Sequence, residues 1–240
     1  MNAIFKYCIL GLMSLAGISS LYFSLLQEFD KSTKANCLLL IAMIAYHLLF
    51  GKRKNILLIK VLSLFLASSV VSVASEYFPD ASLWFQHAGN LLVIAAIVLI
   101  LFKIVKETEA LLVVDKYLWL IFLIIAVDAY IIYEITGLIV KFDLSFNHLF
   151  TGFSYPIVKL IVLSVAFVYY LANANKYRRA NFLVIAVFGY FLQDVVEGAQ
   201  YLLFVNDALP GLNLLSTGFF MLGLWFFYLY CTKPKIAFEG

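Results

Sequence analysis

Charge is scarce in this sequence. Asp, Glu, Lys and Arg make up 13% of its 240 residues, against roughly 25% in an ordinary soluble domain. So few charges exclude a stretch polar enough to fold as a separate soluble domain. Cysteine is scarce too. Cys8, Cys37 and Cys231 are odd in number and scattered, which gives neither a disulfide framework nor a metal-ligand spacing. The three histidines, His47, His87 and His148, include no His-x-x-x-His or Glu-x-x-His pair and so argue against a metal centre. A Gly-x-Ser-x-Gly nucleophile elbow and a phosphate-binding P-loop are both missing. The last helices offer no lysine where a retinal anchor would sit. Nothing calls for a cofactor, and nothing points to nucleic acid as a partner.

What is abundant is apolar sequence, 65% of the chain. Runs long enough to cross a bilayer, about 20 residues each, recur along the whole length with short connections. The first, near Ile4 to Leu26, is longer than a signal-peptide core, lacks a cleavage site and is followed by further spans, so it reads as a retained helix. We expect helices at 4–26, 36–50, 55–77, 82–103, 116–139, 150–171, 181–204 and 210–231. Breakers mark several ends: Gly51, Pro79, and Pro210-Gly211. The fold class is all-α, a polytopic membrane bundle of about eight transmembrane helices in one domain, 1–240.

The basic residues sort by side. If the spans alternate, Lys6, Lys52, Arg53, Lys54, Lys103, Lys106, Lys116, Lys176, Arg178, Arg179, Lys233 and Lys235 fall on one side. Only Lys31, Lys34 and Lys141 fall on the other. Lys60, which can snorkel to the first side, and Lys159 lie within spans and complete the 17. Dropping one span would scramble this separation, so it supports the helix number. Cytoplasmic loops are enriched in Lys and Arg. The expectation is therefore a multi-pass protein of the inner (plasma) membrane with both termini cytoplasmic. An internal similarity also appears. LSLFLASSVVSVASEYFPD from Leu62 resembles FGYFLQDVVEGAQYLLFVND from Phe188, four helices later and in the same direction. It suggests parallel repeats over 1–110 and 111–240.

Against this background the intramembrane charges stand out. A charged side chain at the bilayer centre costs roughly 2.5–3.5 kcal/mol on insertion scales and marks a functional site by default. Five qualify: Asp128, Glu134, Lys159, Asp194 and Glu197. At about 1.5 Å of rise per residue, Asp128 lies ~18 Å and Asp194 ~20 Å from the basic side. Lys159 lies ~14 Å from the opposite face, so the three share a level. Asp194 and Glu197 share a helix face, with Tyr201 further along it. Tyr155-Pro156 precedes Lys159, and Pro156 should free a backbone carbonyl nearby. Lys159 is a counter-ion for either Asp194 or Asp128. His87, with Gln86 and Asn90, could line the same cavity near the outer end of its helix. The plainer reading is an ion pair that fixes helix packing. The convergence of five charges on one level favours a polar cavity with a function.

The stretch Ala186-Val187-Phe188-Gly189-Tyr190-Phe191-Leu192-Gln193-Asp194, running on to Phe204, resembles the Phe-x-x-Ser-Asp helix of the YhhN-like lysoplasmalogenases. The preceding Tyr155-Pro156-Ile157-Val158-Lys159 is similar to the helix before that motif. The similarity covers about residues 150–230; the first half matches only in topology. Where the family carries a second Asp, this chain reads Phe65-Leu66-Ala67-Ser68-Ser69. The His and Tyr of the family's following helix are not cleanly present, with Asn90 and Val93 nearby, and the last helix reads Thr217-Gly218-Phe219-Phe220. The resemblance implies hydrolysis of the vinyl ether bond of a membrane lysophospholipid, without metal or organic cofactor. It implies Asp194 as acid or base, Glu197 or Asp128 as its catalytic partner, and Lys159 as orienter or phosphate ligand. Tyr155, His87 and Tyr201 would line the substrate site. Two other classes fit the same residues: a sensory membrane module that works through a partner, and a proton-coupled transporter of small solutes.

Overall fold

The computed structural model describes residues 3–51, 55–108, 110–141, 146–173, 179–203 and 210–233. Their elements are all helical: α1 (Ala3–Leu25), α2 (Phe29–Phe50), α3 (Ile56–Tyr77), α4 (Ser82–Glu107), α5 (Ala110–Lys141), α6 (Phe146–Asn173), α7 (Arg179–Leu203) and α8 (Pro210–Thr232). A single 3-10 turn, Pro79–Ala81, precedes α4. Seven of these helices contain a stretch long and apolar enough to cross a membrane. The other, α6, is 28 residues long and runs on through Pro156.

Most boundaries follow the expected ones, but three starts come early: α2 begins seven residues earlier than its apolar run, α5 six and α6 four. The polar stretch after Leu26 is helical because its charges pair along one helix face. Lys31 meets Glu28 at 2.9 Å and Lys34 meets Asp30 at 2.5 Å, at i,i+3 and i,i+4 spacing. The turn from α1 to α2 is correspondingly tight. Gln27 adopts the left-handed region at φ 60°. Its amide donates to the Ser24 carbonyl, and the Glu28 amide donates to the Phe23 carbonyl, the two-bond closure of a helix C-terminus.

Side-chain contacts fix which helix ends share a side. Phe5 packs on Phe50, His47 stands edge-on to Tyr228, and the Asn55 amide donates to the Cys231 carbonyl at 2.9 Å. The α1 and α3 N-termini therefore lie with the α2 and α8 C-termini, and bonds from Arg179 and Tyr230 to Glu107 bring the α7 N-terminus and the α4 C-terminus to the same end, with Lys103 and Lys233. At the opposite end Lys34 approaches Glu76, and Ser24 bonds Thr217 at 2.6 Å. Ser20, Ser24, Ser32 and Asn36 form a hydroxyl and amide network there between α1 and α2, a means of helix association that works without a hydrophobic driving force.

Seven helices form a closed ring, each packing on the next in the order α1, α2, α3, α4, α6, α7, α8 and back to α1. The fifth helix stands outside and packs on α6. None of its residues from Tyr117 to Glu134 is buried. The ring has a filled interior. Phe65, Tyr190 and Phe220 meet at its centre, with ring centroids 5.4–6.3 Å apart.

Two glycines set the closest helix crossing. A methyl on Gly223 would stand 2.6 Å from Cε1 of Tyr190, and one on Gly189 would stand 2.9 Å from the Phe219 carbonyl oxygen. Tyr190 is 1% exposed and wedged in the aromatic cluster, so it cannot move aside. Gly223→Ala is expected to lower stability by about 1–3 kcal/mol through overpacking. Gly218→Ala, in the same helix with open space around it, should be neutral or better. Thermal unfolding of the two variants in detergent checks this. Equal midpoints would refute the close crossing.

Candidate functional site

The site candidate lies on α7 where it packs between α6 and α8. On α7 the spacing of Tyr190, Asp194 and Glu197 keeps these residues on one side of the helix. The glycine crossing holds that side against α8. The Lys159 ammonium, on α6, donates to Asp194 Oδ1 at 2.7 Å and to the Tyr190 carbonyl at 3.3 Å. Both partners are withdrawn from the surface: the Lys159 side chain is 4% exposed and that of Asp194 9%. The second carboxylate oxygen, Asp194 Oδ2, is buried and has no protein partner among the described residues. One turn along, Glu197 Oε1 accepts from the Ser216 hydroxyl at 2.6 Å and from the Gln193 amide at 2.9 Å. Glu197 itself is exposed. A sequestered carboxylate fixed through one oxygen by an ammonium thus neighbours an accessible carboxylate fixed by neutral donors. Such a pair of unlike environments can divide acid and base roles.

Asp128 belongs to a different place. Its Oδ2 accepts from the Ser164 hydroxyl at 2.6 Å, on the side of α6 that faces α5. Lys159 and Ser164 are five residues apart, which at 3.6 residues per turn sets them about 140° apart around the helix axis. Asp128 therefore lines a groove of about 370 Å³ among α4, α5 and α6, and Lys159 pairs with Asp194. The two carboxylates meet α6 at residues five apart, Ser164 and Lys159, and lie on different flanks of it. Glu134, further along α5, is exposed.

His87 is half-buried near the start of α4. It forms no hydrogen bond with Lys159, Asp194 or Glu197 among the described residues, and its Nδ1 is buried without a partner. Tyr155 and Tyr201 fall on helical backbone, but their side chains lie outside the described residues. At the position where the first half lacks a carboxylate, the Ser69 hydroxyl turns back to the Phe65 carbonyl at 3.0 Å. This is an ordinary intrahelical bond.

A second charged centre escapes sequence reading. Glu107, the last residue of α4, takes Arg179 Nη2 on both carboxylate oxygens at 2.6 and 2.7 Å. It also accepts from the hydroxyls of Tyr230 at 2.9 Å and Tyr169 at 3.2 Å, and pairs with Lys103 at 3.0 Å. The Arg179 guanidinium lies 4.9 Å over the Tyr230 ring. This group joins α4, α6, α7 and α8 at the basic end, and its saturated bonding marks it as a structural clasp. The available signal was Lys103-x-x-x-Glu107, an i,i+4 pair on one helix face; ending the helix at residue 103 hid it, because α4 runs on to Glu107.

No protein-family model, no curated protein and no solved structure matches this chain.

Proposed function

We propose that this polytopic membrane protein hydrolyses the vinyl ether bond of lysoplasmalogens, with Asp194 at the reaction centre. In this reading it resides in the inner (plasma) membrane with both termini in the cytoplasm, where the basic end of the bundle would lie. The observation that carries the reading is the sequestered Lys159–Asp194 pair with its unpartnered Oδ2 one turn from the accessible Glu197. The similarity of the Gln193-Asp194 helix to the YhhN-like lysoplasmalogenases is consistent with it.

The chemistry needs an acid, a water and a base. Protonation of the β-carbon of the enol ether gives an oxocarbenium ion. Water adds to that ion and releases a proton, and the hemiacetal collapses to a fatty aldehyde and the glycerol hydroxyl. General acid–base groups within hydrogen-bond reach of the reacting atoms are required. Asp194 and Glu197 are the two carboxyl groups for these roles, with Lys159 holding Asp194 in place. Its burial and its bonds to Asp194 and to the Tyr190 carbonyl suit Lys159 to orientation. Asp128 faces the other flank of α6 and is not assigned a part.

Asp194→Asn keeps an oxygen acceptor for the Lys159 ammonium and should abolish aldehyde release from lysoplasmalogen in proteoliposomes, scored per folded protein because loss of the buried charge lowers stability. A variant that still releases aldehyde at the unsubstituted rate removes Asp194 from the centre. One observation favours a second reading: a buried Lys–Asp pair bridging two helices suits proton coupling in a transporter. Proton-driven solute uptake into proteoliposomes, lost in Lys159→Met, would select that reading instead.

A further inference from the structure

The α4–α5–α6 groove is separate from the Asp194 centre and asks for an occupant of its own. We propose that it binds a small single-chain aliphatic amine, with the ammonium on Asp128 and the tail along the apolar wall.

The walls are Ile121 and Ile125 of α5 and Ile161 and Val165 of α6, and the polar groups among them include Asp128 and Ser164. The volume, about 370 Å³, falls in the range of small-ligand sites, ~300–1,000 Å³, and is far too small for a helix. Asp128 gives the groove its chemistry. The Ser164 hydroxyl occupies Oδ2; Oδ1 has no hydrogen-bond partner among the described residues. That leaves a carboxylate oxygen beside aliphatic walls at mid-span depth, a placement that is costly unless a donor meets it. A bilayer acyl chain fills the walls but supplies no donor. An ammonium supplies charge and donor together, and such bonds to ionised groups are the strong ones. Access is provided by α5, which lies outside the ring and packs on α6.

The test uses the full chain in nanodiscs and a diazirine-bearing C12 alkylamine as photolabel, with the matching alkanol as the uncharged probe. Labelled peptides are mapped by mass spectrometry, and apparent affinity is read from saturation. The amine should label the peptides around Ile125 and Val165 saturably. Its affinity should fall about tenfold or more in Asp128→Asn, the range expected when a hydrogen bond to a charged group is lost. Asparagine keeps an acceptor for Ser164, so folding should survive. Val165→Phe fills the groove with Asp128 in place, and should also remove saturable labelling. Equal affinity of Asp128→Asn and the unsubstituted chain would overturn the proposal. So would an alkanol that binds as tightly as the amine, which would mean ordinary lipid filling, or the absence of saturable labelling at these peptides. Aldehyde release and this labelling are independent readouts, so failure of one leaves the other standing.

Discussion

Lys159→Ala is expected to destabilise the protein by about 3–5 kcal/mol, the cost of leaving one member of a buried ion pair without its partner. Asp194 would lose the donor on Oδ1 while Oδ2 already lacks one. The Tyr190 carbonyl would lose its bond to the ammonium as well. The loss should appear as a lower unfolding midpoint in detergent and as greater sensitivity of α6 and α7 to proteolysis. Lys159→Met combined with Asp194→Leu should recover much of the stability, since apolar residues of similar volume often replace a buried pair at little cost. A single variant as stable as the parent would mean that the pair is solvated. The contrast between single and double variants therefore separates what the pair does for the fold from what it does for chemistry.

Glu107→Ala should have an effect of similar size at the other end of the bundle. It removes the acceptor for Arg179, Tyr169 and Tyr230 at once, and Arg179 is only 15% exposed. An uncompensated guanidinium beneath Tyr230 should cost about 3–5 kcal/mol. Lys103→Ala removes a partner that is 39% exposed and should cost under about 1 kcal/mol, as surface pairs do. Urea or thermal unfolding of the three chains in micelles checks the order. Equal losses at Glu107 and Lys103 would contradict the clasp. Because Glu107 is remote from Asp194 along the helix axes, a Glu107 variant that still folds should keep its activity.

How much of this was legible beforehand depends on what each residue needed in order to be read. The helices were legible because apolar length and the two-sided placement of Lys and Arg are properties of the chain alone. The early start of α2 was not, because polarity marked Asp30 to Lys34 as loop while their mutual pairing makes them helical. The Lys159–Asp194 pair was legible as one of two alternatives. Depth along a helix is set by the count of residues, and counting puts Asp128, Lys159 and Asp194 near one level; Asp128 in fact meets α6 at Ser164, about 7.5 Å of rise from Lys159. Azimuth is set by which helix packs where, and no count of residues shows that α5 stands outside the ring. That is why Asp128 could be grouped with Asp194 on paper when it lies on the far flank of α6. Glu107 was missed for the same reason. A charge at a helix end reads as solvated unless the faces of four helices are known to meet there.

The central claim is that the Lys159–Asp194 pair serves chemistry beyond packing. The most direct measurement is aldehyde release from lysoplasmalogen by proteoliposomes containing the unsubstituted chain or the Lys159→Met/Asp194→Leu double variant. The account predicts release by the former and none by the latter, with both chains folded to similar unfolding midpoints. A folded double variant that releases aldehyde as fast as the unsubstituted chain, or an unsubstituted chain that releases none, would contradict it.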